Sequence, residues 1–304
     1  MSERDGRVIG TTILQDSGKR GFNLVIVSEG YKQAELPTFA TDAKDFMDKF
    51  FLTPPFDSHQ AWFNVHRVDV ASTDSGAKDP AGGACGGSGA SPATYFDASF
   101  CWNNLPRLLG CDSALVRKVV NAQVPKWNGI LVIVNTTTYG GSGGPAAVFS
   151  RAAGASEIGI HELCHSAFGL ADEYEYYHGC ETGEAGHDNY TGAEPAQPNV
   201  TANITRNTLK WGSFVAASTA LPTTVNADCT KCDPQVSPVA AGTVGAFTGA
   251  FYNHCGAYRP EFDCKMRTLG KPFCSVCQNR IAVKLNPYAP LGDFPQPNPK
   301  TGVG

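Results

Sequence analysis

The first 170 residues switch repeatedly between two hydrophobic periods. GFNLVIVSEGY (21–31) is a short, β-rich apolar run closed by Gly30, and it reads as a buried strand entering a turn. In 36–51, Phe39, Ala43, Phe46, Met47 and Phe50 recur at the three-and-four spacing of one helix face, and Pro54-Pro55 stops the helix. WFNVHRVDVAS (62–72) alternates as a second strand, and a glycine-rich loop fills 74–93. A short amphipathic helix is expected around 113–122, and GILVIVNTT (129–137) reads as a third buried strand. YGGSGG (139–144) leads into AAVFS (146–150), read as a short edge strand, and a further helix opens near Ser156.

Strands alternating with helices predict an α/β (α+β) fold with a mixed, twisted sheet. After residue 174 the periodicity dissolves into Gly, Pro, Asn and Thr. The expected organisation is an N-terminal α/β lobe over 1–170, an irregular cysteine-rich lobe over 171–286, and a Pro/Gly-rich tail over 287–304, with the two lobes forming one domain.

A formal net charge of −4 gives no basic excess for nucleic acid or an anionic membrane. No apolar run is long enough to span a bilayer. Six of the eleven cysteines fall between 229 and 277, which predicts disulfides and an oxidising compartment. With Cys164 set aside, ten cysteines allow five bridges. MSERDGRVIG lacks the apolar segment of a signal peptide, so the expectation is a secreted, cell-surface or periplasmic chain whose export signal has been removed. Asn135, Asn189, Asn199 and Asn203 sit in N-x-S/T sequons, which mean nothing if the source is bacterial.

The chemistry concentrates in HELCHSAFGLADEY (161–174). Positions i and i+4 share a helix face, so His161 and His165 can reach one metal ion. Glu162 lies about 100° around the helix from His161, which suits a general base better than a ligand. Two histidines inside a packed helix are costly without a partner, and a metal removes that cost.

A catalytic zinc commonly takes three protein ligands. Gly169 can end the helix in the left-handed conformation, and Asp172 follows three residues later, as the third ligand does in metzincin sites. The pattern HExxHxxGxxH is not met: Phe168 stands where the glycine would, and the ligand is Asp. Glu173 is the next alternative. Glu184 has thermolysin-like spacing in a glycine-rich, poorly helical stretch. Met266 in CKMR is the candidate methionine turn beneath the metal, against the plain role of a core methionine.

These motifs together resemble the bacterial IgA-peptidase family of metzincin-like zinc metallopeptidases. HELCHSAFGLADEY is similar to that family's HELGHSFxGLADEY. IVSEGY (26–31), VIVNTTTYGGSGG (132–144), PNVT…LKWGSF (198–214) and YRPEFDCKMRTLGKPFCSVC (258–277) resemble its other blocks. The resemblance spans about 22–280. It departs at Cys164, where glycine is usual, which raises the question of a thiol near the metal.

The resemblance implies a metzincin-like zincin: an upper α/β lobe, a lower irregular, disulfide-rich lobe, and one catalytic Zn2+ on His161, His165 and Asp172 with Glu162 as general base. It implies an extended protein or peptide substrate laid along an edge at 144–150, with Gly140, Gly141, Ser142 and Gly143 at its mouth. Tyr258, Tyr174 and Arg259 are candidate oxyanion or substrate contacts, against roles in packing or a surface ion pair. The chain is expected to act as a monomer.

Three rival readings remain. Cys229-Thr-Lys-Cys232 and Cys274-Ser-Val-Cys277 have the ligand count of a four-cysteine zinc site, although 41 residues separate the pairs and disulfides are preferred. A silent binding or adhesion module could keep the fold, but such a scaffold tends to lose the base or a ligand first. A closed structural metal site would need a fourth ligand such as His178, His187 or His254.

Overall fold

The computed structural model describes residues 5–18, 20–180 and 186–290. The chain divides into two units. The first runs to Phe168 and takes in the segment from Leu285, and the second runs from Gly169 to Lys284.

The first unit is built on a six-stranded sheet: β1 (Gly6–Gln15), β2 (Phe22–Glu29), β3 (Phe63–Ser72), β4 (Gly129–Val134), β5 (Gly141–Ser142) and β6 (Ala147–Ser150). Their order is β1-β3-β2-β4-β6-β5. β3, β2, β4 and β6 run parallel, while β1 and β5 are antiparallel to their neighbours. Strands covered on both faces should be apolar at successive positions, and every residue of β4, GILVIV, is buried.

On one face Val25, Val27, Val68, Val70, Val132 and Val148 pack with Val116, Val119 and Val120 of α2 (Ser113–Gln123). α2 starts where Asp112 Oδ1 accepts the amides of Ala114 and Leu115, each at 3.0 Å. α1 (Leu36–Phe51) buries Phe39, Ala43, Phe46, Phe50 and Phe51. Its Phe46 ring lies 5.3 Å from that of Phe149 on β6. α3 (Ser156–Phe168) ends on Phe168, stacked at 5.6 Å on Phe22.

The IVSEGY stretch proves to be a structural staple. Glu29 is fully buried and accepts the amides of Phe96 and Ala98 at 2.9 and 3.0 Å, anchoring the end of the long loop after β3. Burial raises its carboxyl above the usual range, against those bonds and one from Thr94.

The second unit holds a two-stranded antiparallel hairpin, β7 (Phe247–Ala250) and β8 (Asn253–Arg259), and the helix α4 (Ser275–Leu285). Its small apolar cluster centres on Ala171, Val200, Ala250 and Ala257. Disulfides reinforce it: Cys180–Cys232 and Cys229–Cys255. The third bridge, Cys85–Cys101, lies in the first unit. The expectation of five bridges is thus corrected to three among the described residues, because Cys111, Cys264, Cys274 and Cys277 are buried outside any of the three. The four-cysteine zinc site is overturned as well, since Cys229 and Cys232 are spent in separate disulfides. No helix among the described residues is long and apolar enough to cross a membrane.

Candidate active site

His161 and His165 sit one turn apart on α3, the first buried and the second half-buried. Their Nε2 atoms face each other at 3.1 Å with the rings nearly perpendicular. Two ligand nitrogens on a tetrahedral zinc with bonds of about 2.05 Å lie about 3.3 Å apart, so the pair fits a metal ion. Oε2 of Glu162 lies 3.9 Å from His165 Nε2. Cys164, the departure from the family motif, is fully buried.

The glycine-rich segment closes on this machinery. A β-carbon at Gly143 would lie 2.8 Å from Glu162 Oε2 and 3.3 Å from His165 Cδ2. Hydrogen is therefore the side chain that fits beside the undisturbed Glu162 carboxylate.

The expectation that 144–150 forms the sheet edge is corrected. β6 is covered by β5, with Gly141 opposite Phe149 and Ser142 opposite Val148. Gly141 is in turn engaged from outside, donating to Arg107 O at 3.3 Å and accepting from Leu109 N at 3.4 Å. Ser142 Oγ donates to Leu109 O at 2.7 Å. Gly143 follows the paired stretch, and its backbone groups make no backbone hydrogen bond among the described residues.

α3 ends as its sequence predicts. Gly169 has φ +68°, the left-handed conformation that closes a helix at low cost for glycine. In the second unit Asp172 is 5 % exposed, and Oδ2 accepts the hydroxyl of Tyr252. Its carbonyl accepts the amide of Phe251 at 3.2 Å. Phe251 and Tyr252 form the β7–β8 turn and both have positive φ, +55° and +64°. Such turns favour Asn-Gly, and bulky residues adopt them at a cost. Nothing in the local sequence of Tyr252 pointed to this position, since its partner lies 80 residues away.

Asn199 is a second residue that sequence reasoning missed, although it lies in the PNVT stretch. It is fully buried, accepts the amide of Ala171 at 2.8 Å and donates to Ala171 O at 2.9 Å and Glu173 Oε1 at 2.8 Å. It thus fixes the backbone before Asp172 and the Glu173 carboxylate after it. Glu173 itself turns toward Cys277, whose Sγ lies 3.1 Å from Oε1. Burial holds its carboxyl well above the usual range, with neighbouring Cys264 adding to the rise and the bonds from Asn199 and Cys277 opposing it.

Met266 is fully buried in the turn after Cys264, and its carbonyl accepts the amide of Glu173 at 2.8 Å. Tyr174 is half-buried, with its ring 5.1 Å from Tyr176 and 5.3 Å from Tyr252. Tyr258 is half-buried too, and burial raises its phenol.

Arg259 is corrected as a substrate contact. It is 2 % exposed, pairs with Glu175 at 3.2 Å and donates to the carbonyls of Phe262, Thr248 and Gly249. Burial, helped by neighbouring Arg267, brings it down to about 10. Glu184 lies outside the described residues.

A search of curated proteins returns no match to the chain. A sequence profile described as IgA Peptidase M64 matches residues 12–237 and 233–285, and so takes in the histidine pair, Asp172 and the Met266 turn. With nearly the whole described chain under that profile, the protein belongs to the IgA peptidase M64 family and is a peptidase.

Proposed function

We propose that the chain is a zinc-dependent endopeptidase acting on extended protein substrates, with His161, His165 and Asp172 as metal ligands and Glu162 as general base. The observation that carries this reading is the pair of histidine nitrogens facing each other at 3.1 Å, with the Glu162 carboxylate beside them. Asp172 follows His165 by seven residues across the helix-ending Gly169, and the Tyr252 hydroxyl and Asn199 hold it and its neighbours. The turn at Met266, bonded to the residue next to Asp172, supports its assignment as the methionine turn.

Zinc at such a site supplies a Lewis acid that polarises the scissile carbonyl and acidifies water. Glu162 removes the proton from the attacking water and delivers it to the leaving amine. Gly143 pairs with the substrate backbone by strand addition, because the outward groups of Gly141 are already engaged. Tyr174 and Tyr258 are the remaining candidates for contact with the developing oxyanion. The three disulfides support an extracellular or periplasmic location.

Glu162→Gln tests the mechanism: the variant should keep the zinc content of the wild type and lose hydrolysis of a peptide library. A fully active Glu162→Gln enzyme would sink it.

A further inference from the structure

Cys264, Cys274 and Cys277 stay unpaired in a chain that pairs six other cysteines. All three are buried, and they surround the side chain of Glu173, which is 0 % exposed. One ligand atom from each of the four lies within 4.8 Å of all the others.

The spacing within this cluster is informative. A disulfide needs sulfur atoms about 2.05 Å apart, whereas Sγ of Cys264 and Cys277 are separated by 3.8 Å. A tetrahedral zinc with Zn–S bonds of about 2.3 Å places its sulfurs about 3.8 Å apart. The sulfurs also accept backbone amides, as metal-bound thiolates do: Cys274 N–H donates to Cys264 Sγ at 3.2 Å, and Cys277 N–H to Cys274 Sγ at 3.4 Å. The last observation is on the carboxylate. Oε1 of Glu173 is bonded to Asn199, but Oε2 is buried with no hydrogen-bond partner. A buried acceptor left in that state is costly, and a cation would remove the cost.

We infer that Glu173, Cys264, Cys274 and Cys277 bind a second metal ion, a structural zinc. Three thiolates select a soft or borderline cation over calcium or magnesium. Four protein ligands leave no open position, which separates this centre from a catalytic one. Binding releases the thiol protons to solvent. The buried Arg259 guanidinium acts electrostatically on Glu173 and offsets part of the negative charge. The ion ties three segments together: the stretch carrying Asp172, the turn carrying Met266, and the start of α4 at Cys277. This inference stands independently of the catalytic reading.

The test uses the whole chain, purified in zinc without chelators. Zinc per chain is measured by elemental mass spectrometry for the wild type, a His161→Ala/His165→Ala double variant and Cys274→Ser. The expected counts are two, one and one. Cobalt substitution of the double-histidine variant should give a near-ultraviolet thiolate-to-cobalt charge-transfer band, which a centre of histidine and aspartate cannot produce. If Cys274→Ser does not fold, the wild type and the double-histidine variant decide alone. No thiolate–cobalt band in the double-histidine variant overturns the inference, as does a disulfide between any two of the three cysteines in non-reducing peptide maps. Loss of the zinc peptidase reading would look different: the double-histidine variant would hold as much zinc as the wild type.

Discussion

Oε2 of Glu162 lies 2.8 Å from where a β-carbon at Gly143 would be. The Glu162 carboxylate and the loop are thus packed to the limit of what glycine allows. Gly143→Ala must push Glu162, His165 or the loop by several tenths of an ångström. Misplacing a catalytic group by up to 1 Å costs on the order of 10- to 100-fold in rate. The expected result is a fall in kcat/KM of that size on a peptide substrate, with zinc content retained. Wild-type kcat/KM for Gly143→Ala would show that the loop yields freely and does not frame the base.

Tyr252 makes a second prediction. Its hydroxyl donates to Asp172 Oδ2 from a turn whose two central residues both have positive φ. A donor held against a ligating carboxylate orients it, and losing such a partner typically costs about 10–100-fold in metal affinity. Tyr252→Phe keeps the ring and removes the bond. Competition with a chelator should show weaker zinc binding in that range, while thermal stability of the metal-free chain changes little. Unchanged zinc affinity would mean that the hydroxyl does not position Asp172.

How much of this was legible in the sequence depends on how far apart the partners lie. β2, β3, β4 and the helices α1, α2 and α3 follow from local periodicity, because each buries a face against the sheet. β1 escaped because it is an edge strand, largely exposed or half-buried along its length. The β7–β8 hairpin escaped because its short strands, FTGA and NHCGAYR, lack a β-rich apolar run and because it turns on Phe-Tyr rather than Asn-Gly. The histidine pair was readable from helical spacing alone. Tyr252, Asn199 and the cysteine cluster were not, since their contacts to residues 171–173 cross 26 to 104 positions. Arg259 stayed open between a site contact and packing, because sequence cannot show that its partner Glu175 is buried with it.

The disulfides give a third prediction. The apolar cluster around Ala171, Val200, Ala250 and Ala257 is small, so cross-links should carry much of the local stability. Cys229–Cys255 closes 26 residues and Cys180–Cys232 closes 52. Loop-closure entropy puts these at about 3.5 and about 4 kcal/mol respectively. Paired Cys→Ala variants should lose stability in that order in urea unfolding. A loss below about 1 kcal/mol for either pair would mean that the reduced chain is already ordered there.

Arg259 and Glu175 form a buried ion pair at 3.2 Å, with Arg267 on the other carboxylate oxygen at 3.3 Å. Removing one partner from a buried pair strands the other and typically costs about 3–5 kcal/mol. Arg259→Met should therefore destabilise the chain by that amount in denaturant unfolding. Adding Glu175→Leu should recover part of the loss, because it removes a buried carboxylate that would otherwise keep Arg267 as its one remaining ion-pair partner among the described residues. The same pair of variants separates packing from catalysis. A guanidinium that touched substrate would raise KM in Arg259→Met, and Glu175→Leu would not restore it. A packing role predicts that activity per folded molecule stays near wild type in the double variant, with stability as the quantity that moves.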